Sequence, residues 1–155
     1  FNILAQGIDG FEMAGCRVID LFAGTGALGI EALSRGARYC LLVEDGPDAR
    51  ALIRRNSEAM GLTGVTKIWR RDATDLGPAG NMTPFGLALL DPPYGKGLGE
   101  KALESLAVDG WLERGAVCVL EERVGTAVAV PPCFVTLDRR SWGDTEVTFL
   151  QFAPQ

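Results

Sequence analysis

Ten residues constrain this chain more than any others: Asp20-Leu21-Phe22-Ala23-Gly24-Thr25-Gly26-Ala27-Leu28-Gly29. Gly24, Gly26 and Gly29 keep the spacing G-x-G-x-x-G, and the stretch joins a short apolar run, 17–21 (RVIDL), to a helical pattern, 27–35. A glycine loop between strand and helix lets backbone come close to a ligand at the carboxyl end of the strand, which predicts a β-α-β unit. Glu44 follows Gly24 by 20 residues, at the end of the next apolar run, 39–43 (YCLLV). An acidic side chain there reaches the ribose hydroxyls of an adenosyl ligand.

The alternation continues along the chain. Runs 65–69 (VTKIW), 87–90 (LALL) and 116–120 (AVCVL) have strand length and mostly continuous apolar character, as expected of parallel strands covered on both faces. Five parallel strands are predicted. Between them lie helical patterns at 27–35, 47–60 and 99–108; the second carries Pro47 in its first turn, Asp48 near its positive end and Gly61 as its stop. Its inward stripe is read as Ala49, Leu52, Ile53, Asn56 and Met60, with Asn56 expected to tie helix to loop as a satisfied amide. The tail differs: 134–140 and 145–152 are strand-like and flank Ser141-Trp142-Gly143-Asp144, a turn sequence, so they read as an antiparallel hairpin on one edge of the sheet. Residues 1–155 are therefore expected to form a single doubly wound α/β domain, with ligands outside the carboxyl ends of the strands.

Composition removes several function classes. The chain has no histidine, so it cannot host a Ser-His or Cys-His nucleophile pair. Cys16, Cys40, Cys118 and Cys133 are scattered without a C-x-x-C pair, which disfavours a zinc framework, and all four are read as reduced and structural. No apolar run reaches membrane-spanning length and no leader is visible, so no membrane association and a cytoplasmic location are expected. A formal net charge of -5 argues against a polyanion wrapping the whole surface, leaving local cations to bind phosphate: Arg54-Arg55, Arg70-Arg71, Lys96 with Lys101, and Arg139-Arg140.

Charge also sorts the ligands of the glycine loop. Asp20 places a carboxylate at the loop, where it repels the pyrophosphate of a dinucleotide and welcomes a ligand carrying an amino group and a sulfonium. S-adenosylmethionine is such a ligand. Asp72 and Ala73 follow the third predicted strand, positioned to hold an adenine ring, and Asp91 follows the fourth. Asp20, Glu44, Asp72 and Asp91 thus end successive strands along one rim. After Asp91 come Pro92, Pro93 and Tyr94; proline fixes its own φ and restricts the residue before it, so the carboxylate and ring are held in nearly fixed relation.

The glycine loop, Val43-Glu44-Asp45, Arg71-Asp72-Ala73 and Asp91-Pro92-Pro93-Tyr94 resemble the class I S-adenosylmethionine-dependent methyltransferases that modify exocyclic amines of nucleobases. The order FNIL, DLFAGTGALGIEALSRGA, LLDPPYGKG, GWL and a terminal aromatic-Gly-Asp-Thr resembles, more narrowly, the RsmD family of small-subunit ribosomal RNA guanine-N2 methyltransferases. The resemblance implies a seven-stranded, mainly parallel Rossmann-like sheet with a C-terminal antiparallel hairpin. It implies S-adenosylmethionine as cofactor, S-adenosylhomocysteine as product and no metal. Asp20, Phe22, Ala23, Gly24, Thr25, Gly26, Glu44, Asp45, Asp72 and Ala73 would hold the cofactor, and Asp91, Pro92, Pro93 and Tyr94 the extruded base. The implied partner is ribosomal RNA within a small-subunit particle, with the enzyme a monomer.

One departure and three alternatives accompany this reading. The family carries a basic stretch before the position of Phe1, so an N-terminal extension is expected to be missing. Trp142 stands where the family has an aromatic; packing within the hairpin is expected to hold it, with base stacking as the alternative. Methylation of adenine N6 or cytosine N4 in DNA or RNA suits the same amine clamp; an NAD-dependent oxidoreductase shares the glycine pattern; a non-catalytic binding module shares the fold.

Overall fold

The computed structural model describes residues 1, 3, 4, 7, 8, 10–108 and 110–154; Asn2, of the FNIL stretch, lies outside them. In chain order the elements are β1 (Arg17–Leu21), α1 (Ala27–Ser34), β2 (Tyr39–Val43), α2 (Pro47–Ala59), a 3-10 turn (Thr63–Val65), β3 (Thr66–Trp69), β4 (Phe85–Leu90), α3 (Leu98–Leu106), β5 (Leu112–Arg123), β6 (Phe134–Trp142) and β7 (Thr145–Phe152). The strands form one seven-stranded sheet in the order β3-β2-β1-β4-β5-β7-β6. The first five are parallel, while β7 runs antiparallel to both β5 and β6.

Strand order reverses between β1 and β4, and a doubly wound sheet opens its ligand crevice there. Register aligns the carboxyl ends: Leu21 pairs with both Val43 and Leu90, Val43 with Trp69, and Leu90 with Leu120. Alternation along the strands feeds two cores. Val18, Leu42, Leu87, Leu89, Val117 and Phe149 pack with Ala32 of α1 and Ile53 of α2. Ile19, Leu41, Ala88, Leu90 and Leu120 pack with Ala102, Leu103 and Leu106 of α3. All six residues of β4 are buried, as a central parallel strand requires.

Several boundaries differ from the sequence reading for physical reasons. Val65 closes the 3-10 turn, so β3 begins at Thr66. Strand β5 is 12 residues long because Leu112 pairs with Phe85 of β4 ahead of the apolar run and β7 pairs with it from Val117 through Arg123, carrying it past that run. Helix α2 ends at Ala59, leaving Met60 as its cap and 59% exposed, while Ser57 takes the buried position one turn beyond Ile53. Ser141 and Trp142 belong to β6, which shortens the hairpin connection to Gly143 and Asp144, with Gly143 at φ +57° supplying the left-handed backbone of a tight two-residue turn. Trp142 is 55% exposed, so packing within the hairpin does not hold it.

Cys40 and Cys118 are buried, Cys16 and Cys133 half-buried, and all four are free. Burial pushes the Cys16 thiol up to about 11, with Glu113 adding to it, which keeps this sulfur protonated and unreactive. No helix among the described residues is long and apolar enough to cross a membrane.

Candidate active site

The glycine loop is built by close approach and by carboxylates beneath it. A Cβ on Gly29 would stand 2.7 Å from Cys40 Sγ and 3.1 Å from Asp20 Oδ2, so the third glycine lets α1 sit directly on the sheet. Gly24 and Gly26 have φ +59° and +82°, as does Phe22 at +59°, the one non-glycine residue with positive φ among the described residues. Holding a phenylalanine in the left-handed region costs about 1–3 kcal/mol, a strain that concentrates at functional loops. The surroundings enforce it: the Ala23 amide donates to the Val43 carbonyl at 3.1 Å and the Gly26 amide to the Ala23 carbonyl at 2.8 Å. Thr25 Oγ1 accepts from the Ala27 amide at the start of α1, and its carbonyl accepts from Asn56 Nδ2 at 3.0 Å. Asn56 is thus the helix-to-loop tie expected of it.

Glu44 holds the loop from the neighbouring strand. Its Oε1 accepts from the Gly24 amide at 2.8 Å and its Oε2 from the Gly46 amide at 3.0 Å. Each carboxylate oxygen keeps a second lone pair, so the side chain can brace the loop and still accept a ligand hydroxyl. Phe22, Val43, Glu44, Asp45, Arg71, Asp72 and Ala73 line a small pocket of about 50 Å³ across the ends of β1, β2 and β3. Five of these carry a cofactor-binding assignment from sequence; Val43 and Arg71 do not. Asp72 spends Oδ1 on the amide and hydroxyl of Thr74, at 2.8 and 2.7 Å, and those bonds hold its carboxyl below the usual range. Asp72 is therefore a turn aspartate that also lines the pocket, with no hydrogen bond to its Oδ2 among the described residues.

Asp20 departs from its expected place at the loop's mouth. It is one residue inside β1, 1% exposed, and lies under the loop, with Oδ2 accepting from the Gly29 amide at 3.0 Å. Its Oδ1 is buried without a partner among the described residues. Burial pushes its carboxyl up to about 8, opposed by the Gly29 bond and reinforced by Asp91 and Glu44. Its second oxygen lacks a partner among the described residues, so a ligand donor or cation reaching it would favour the charged form that burial disfavours.

The segment after β4 is held from β5. Pro92 is buried, and Gly99 of α3 packs so closely that an added Cβ would lie 3.6 Å from the proline ring and 2.8 Å from Leu120. Tyr94 donates its hydroxyl to Glu121 Oε1 at 2.9 Å and lies 3.3 Å from Thr145 Oγ1, and the Arg123 guanidinium sits 6.0 Å from its ring centre. Glu122 is buried and accepts from the Gly95 and Arg123 amides at 3.1 and 3.0 Å. Asp91 is open to the crevice, yet desolvation and the carboxylates of Glu121 and Glu122 push it up to about 6. Sequence reading missed Glu121, Glu122 and Thr145. The signal was present: two acids follow the fifth apolar run just as Asp91 follows the fourth. Among the described residues, no group of three or more histidine, cysteine or acidic side chains can hold a metal.

Comparison with known proteins agrees with this construction. The family model described as Conserved hypothetical protein 95 matches residues 1–151. Ribosomal RNA small subunit methyltransferase D of Escherichia coli K12 is 31% identical over 121 residues, 78% of this chain and 60% of that protein. The protein of the same name from Buchnera aphidicola is 30% identical over 115 residues, 74% of this chain and 60% of that protein. The chain therefore spans less than two thirds of the length of these curated relatives. The solved structure of Escherichia coli yhhF superposes with a TM-score of 0.84 at 28% identity, covering 100% of this chain and 84% of that one. With this strand order, this glycine loop and a family match over nearly its whole length, the chain belongs to the Conserved hypothetical protein 95 family of RsmD-like methyltransferases.

Proposed function

We propose that this chain transfers a methyl group from S-adenosylmethionine to the exocyclic N2 amine of a guanine in small-subunit ribosomal RNA. The observation that carries the reading is the place of Asp91: it directly follows β4 at the reversal of strand order, on the rim that holds the glycine loop and ahead of two prolines that restrict it.

The residues present suit a cationic adenosyl ligand. Asp20 offers a buried, unpartnered oxygen, and the pocket between Glu44 and Asp72 offers acceptors for hydroxyl and amino groups. Asp20 would face the ammonium, Glu44 the ribose and the free oxygen of Asp72 the adenine, with the backbone of Phe22 to Gly26 closing over them and Asp45 and Ala73 completing the walls. When bound, the cofactor supplies an electrophilic methyl on a sulfonium.

The chain's own part is to prepare the nucleophile. An exocyclic amine has its lone pair delocalised into the ring. Asp91 and the Pro92 carbonyl accept its two N–H groups, which pulls the nitrogen toward a tetrahedral shape and aims the pair at the methyl; Pro93 keeps the turn rigid. A cofactor held in this way would supply its methyl to that lone pair and leave as S-adenosylhomocysteine. The surplus proton passes from nitrogen to Asp91, whose raised pKa of about 6 suits it to receive a proton and hand it to water. Orientation and charge stabilisation of this kind are worth about 3–4 kcal/mol per well-placed group. No histidine is needed. Tyr94, anchored through its hydroxyl, presents its ring to a base taken out of the stack.

The net charge of -5 confines RNA contact to local cations, and Lys96, Arg123 and Arg140 lie toward the same rim. The relatives named for the small ribosomal subunit support an RNA substrate presented within a small-subunit particle. We assign the working unit as a monomer. The test is nucleoside mass spectrometry of small-subunit particles, taken from cells lacking this methylation and incubated with the protein and S-adenosylmethionine. N2-methylguanosine is expected. Label on adenine N6 or cytosine N4 instead would replace the substrate assignment, and no transfer would overturn it.

A further inference from the structure

We propose that Glu121 selects guanine, by accepting the ring N1–H that stands beside the amine clamped by Asp91. The inference rests on the amine-methyltransferase reading above and names what decides the base.

Strand register sets the two carboxylates together. Leu90 pairs with Leu120 in the parallel β4–β5 ladder, so Asp91 and Glu121 are the next residues on adjacent strands. Glu121 contributes a carboxylate to the wall of a mostly apolar cavity of about 170 Å³, otherwise lined by Leu90, Val119, Trp142, Val147 and Phe149 among others. An acid in such a wall needs a hydrogen-bond donor. One is supplied by Tyr94, at Oε1; Oε2 has no partner among the described residues, and no lysine or arginine forms an ion pair with Glu121. Glu122 differs, since it is buried and engaged by two backbone amides. Glu121 is therefore the carboxylate beside Asp91 that remains available.

Base chemistry gives that availability a meaning. Guanine carries N1–H next to its N2 amine, two donors side by side on one edge. Adenine N1 and cytosine N3, which flank their own amines, are acceptors, and each would face the lone pairs of a carboxylate. One acid clamping the amine suits any of the three bases; a second acid beside it accepts guanine and repels the others. Asp91 and Tyr94 bind the base, while Glu121 chooses it.

The test compares guanine with 2-aminopurine, which keeps the 2-amine but has an unprotonated N1. Small-subunit particles are reconstituted with RNA carrying either base at the position methylated by the wild-type chain, and initial rates of methyl transfer are measured. The wild type is expected to prefer guanine by about 10-fold or more. Glu121→Gln retains an acceptor for the Tyr94 hydroxyl and offers an N–H to N1, so its preference is expected to flatten or reverse. A purely structural role would slow both substrates alike and leave the ratio unchanged. An unchanged ratio in Glu121→Gln, or a wild-type ratio near one, would overturn the inference while leaving N2 methylation intact. Wild-type product other than N2-methylguanosine would overturn both, so the two failures are distinguishable.

Discussion

The carboxylate of Asp20 lies 3.0 Å from the Gly29 amide, buried under the loop, with its second oxygen unpartnered. Its folded pKa, about 8, lies above the ordinary aspartate value, so between roughly pH 4 and pH 8 the folded chain holds a proton that the unfolded chain has lost. Stability from this group is therefore greatest at low pH and falls as pH rises toward 8. Asp20→Asn removes that penalty. Thermal melts from pH 5 to 9 should show the variant gaining on the wild type as pH rises, while calorimetry shows weaker S-adenosylmethionine binding. Wild-type affinity should itself rise with pH over this range, with proton release on binding.

Glu44 joins the amides of Gly24 and Gly46. Hydrogen bonds to a charged acceptor contribute about 1.5–3 kcal/mol each. Glu44→Ala should lower both the melting temperature and the cofactor affinity, the latter by about 10-fold or more, whereas Glu44→Gln should lose less. Equal cofactor affinities by calorimetry for Glu44→Ala and the wild type would remove Glu44 from the site.

Gly29→Ala places a methyl group 2.7 Å from Cys40 Sγ, inside contact distance, and should destabilise the fold by about 1–3 kcal/mol in urea denaturation. Gly64 has nothing within 4 Å of a built Cβ and no positive φ. Gly64→Ala should therefore stay within about 0.5 kcal/mol of the wild type.

Asp91 accepts from the amine most strongly, and can take its proton, only when ionised. With its pKa pushed up to about 6 by desolvation, Glu121 and Glu122, the rate at limiting substrate should rise with pH through about 6 and then level. Replacing Glu121 with Gln removes one of those charges and should shift the acid limb to lower pH. A limb at the same pH in Glu121→Gln would remove Glu121 as a cause.

The parts of this fold that chain-local chemistry decides were readable in advance. Continuous apolar runs marked the parallel strands, and glycine spacing marked the loop, because burial on both faces and close backbone approach each leave a one-dimensional trace. Glu44 and Asp72 reached the same pocket as expected. What was not readable depends on pairing. The length of β5 follows from β4 and β7 on either side of it, and the exposure of Trp142 from its place on the outer strand. The sequence places Asp20 on the rim, since nothing local shows that α1 closes over it. Glu121 and Glu122 stood outside the predicted strand, and only the β4–β5 register sets Glu121 beside Asp91.

The central claim is that Asp91 prepares an amine for methyl transfer. It is tested most directly by Asp91→Ala, assayed by labelled methyl transfer to unmethylated small-subunit particles alongside calorimetric binding of S-adenosylhomocysteine. Cofactor affinity is expected to stay within a few-fold of the wild type while transfer falls by at least about 100-fold. Transfer at near wild-type rate by Asp91→Ala would contradict it.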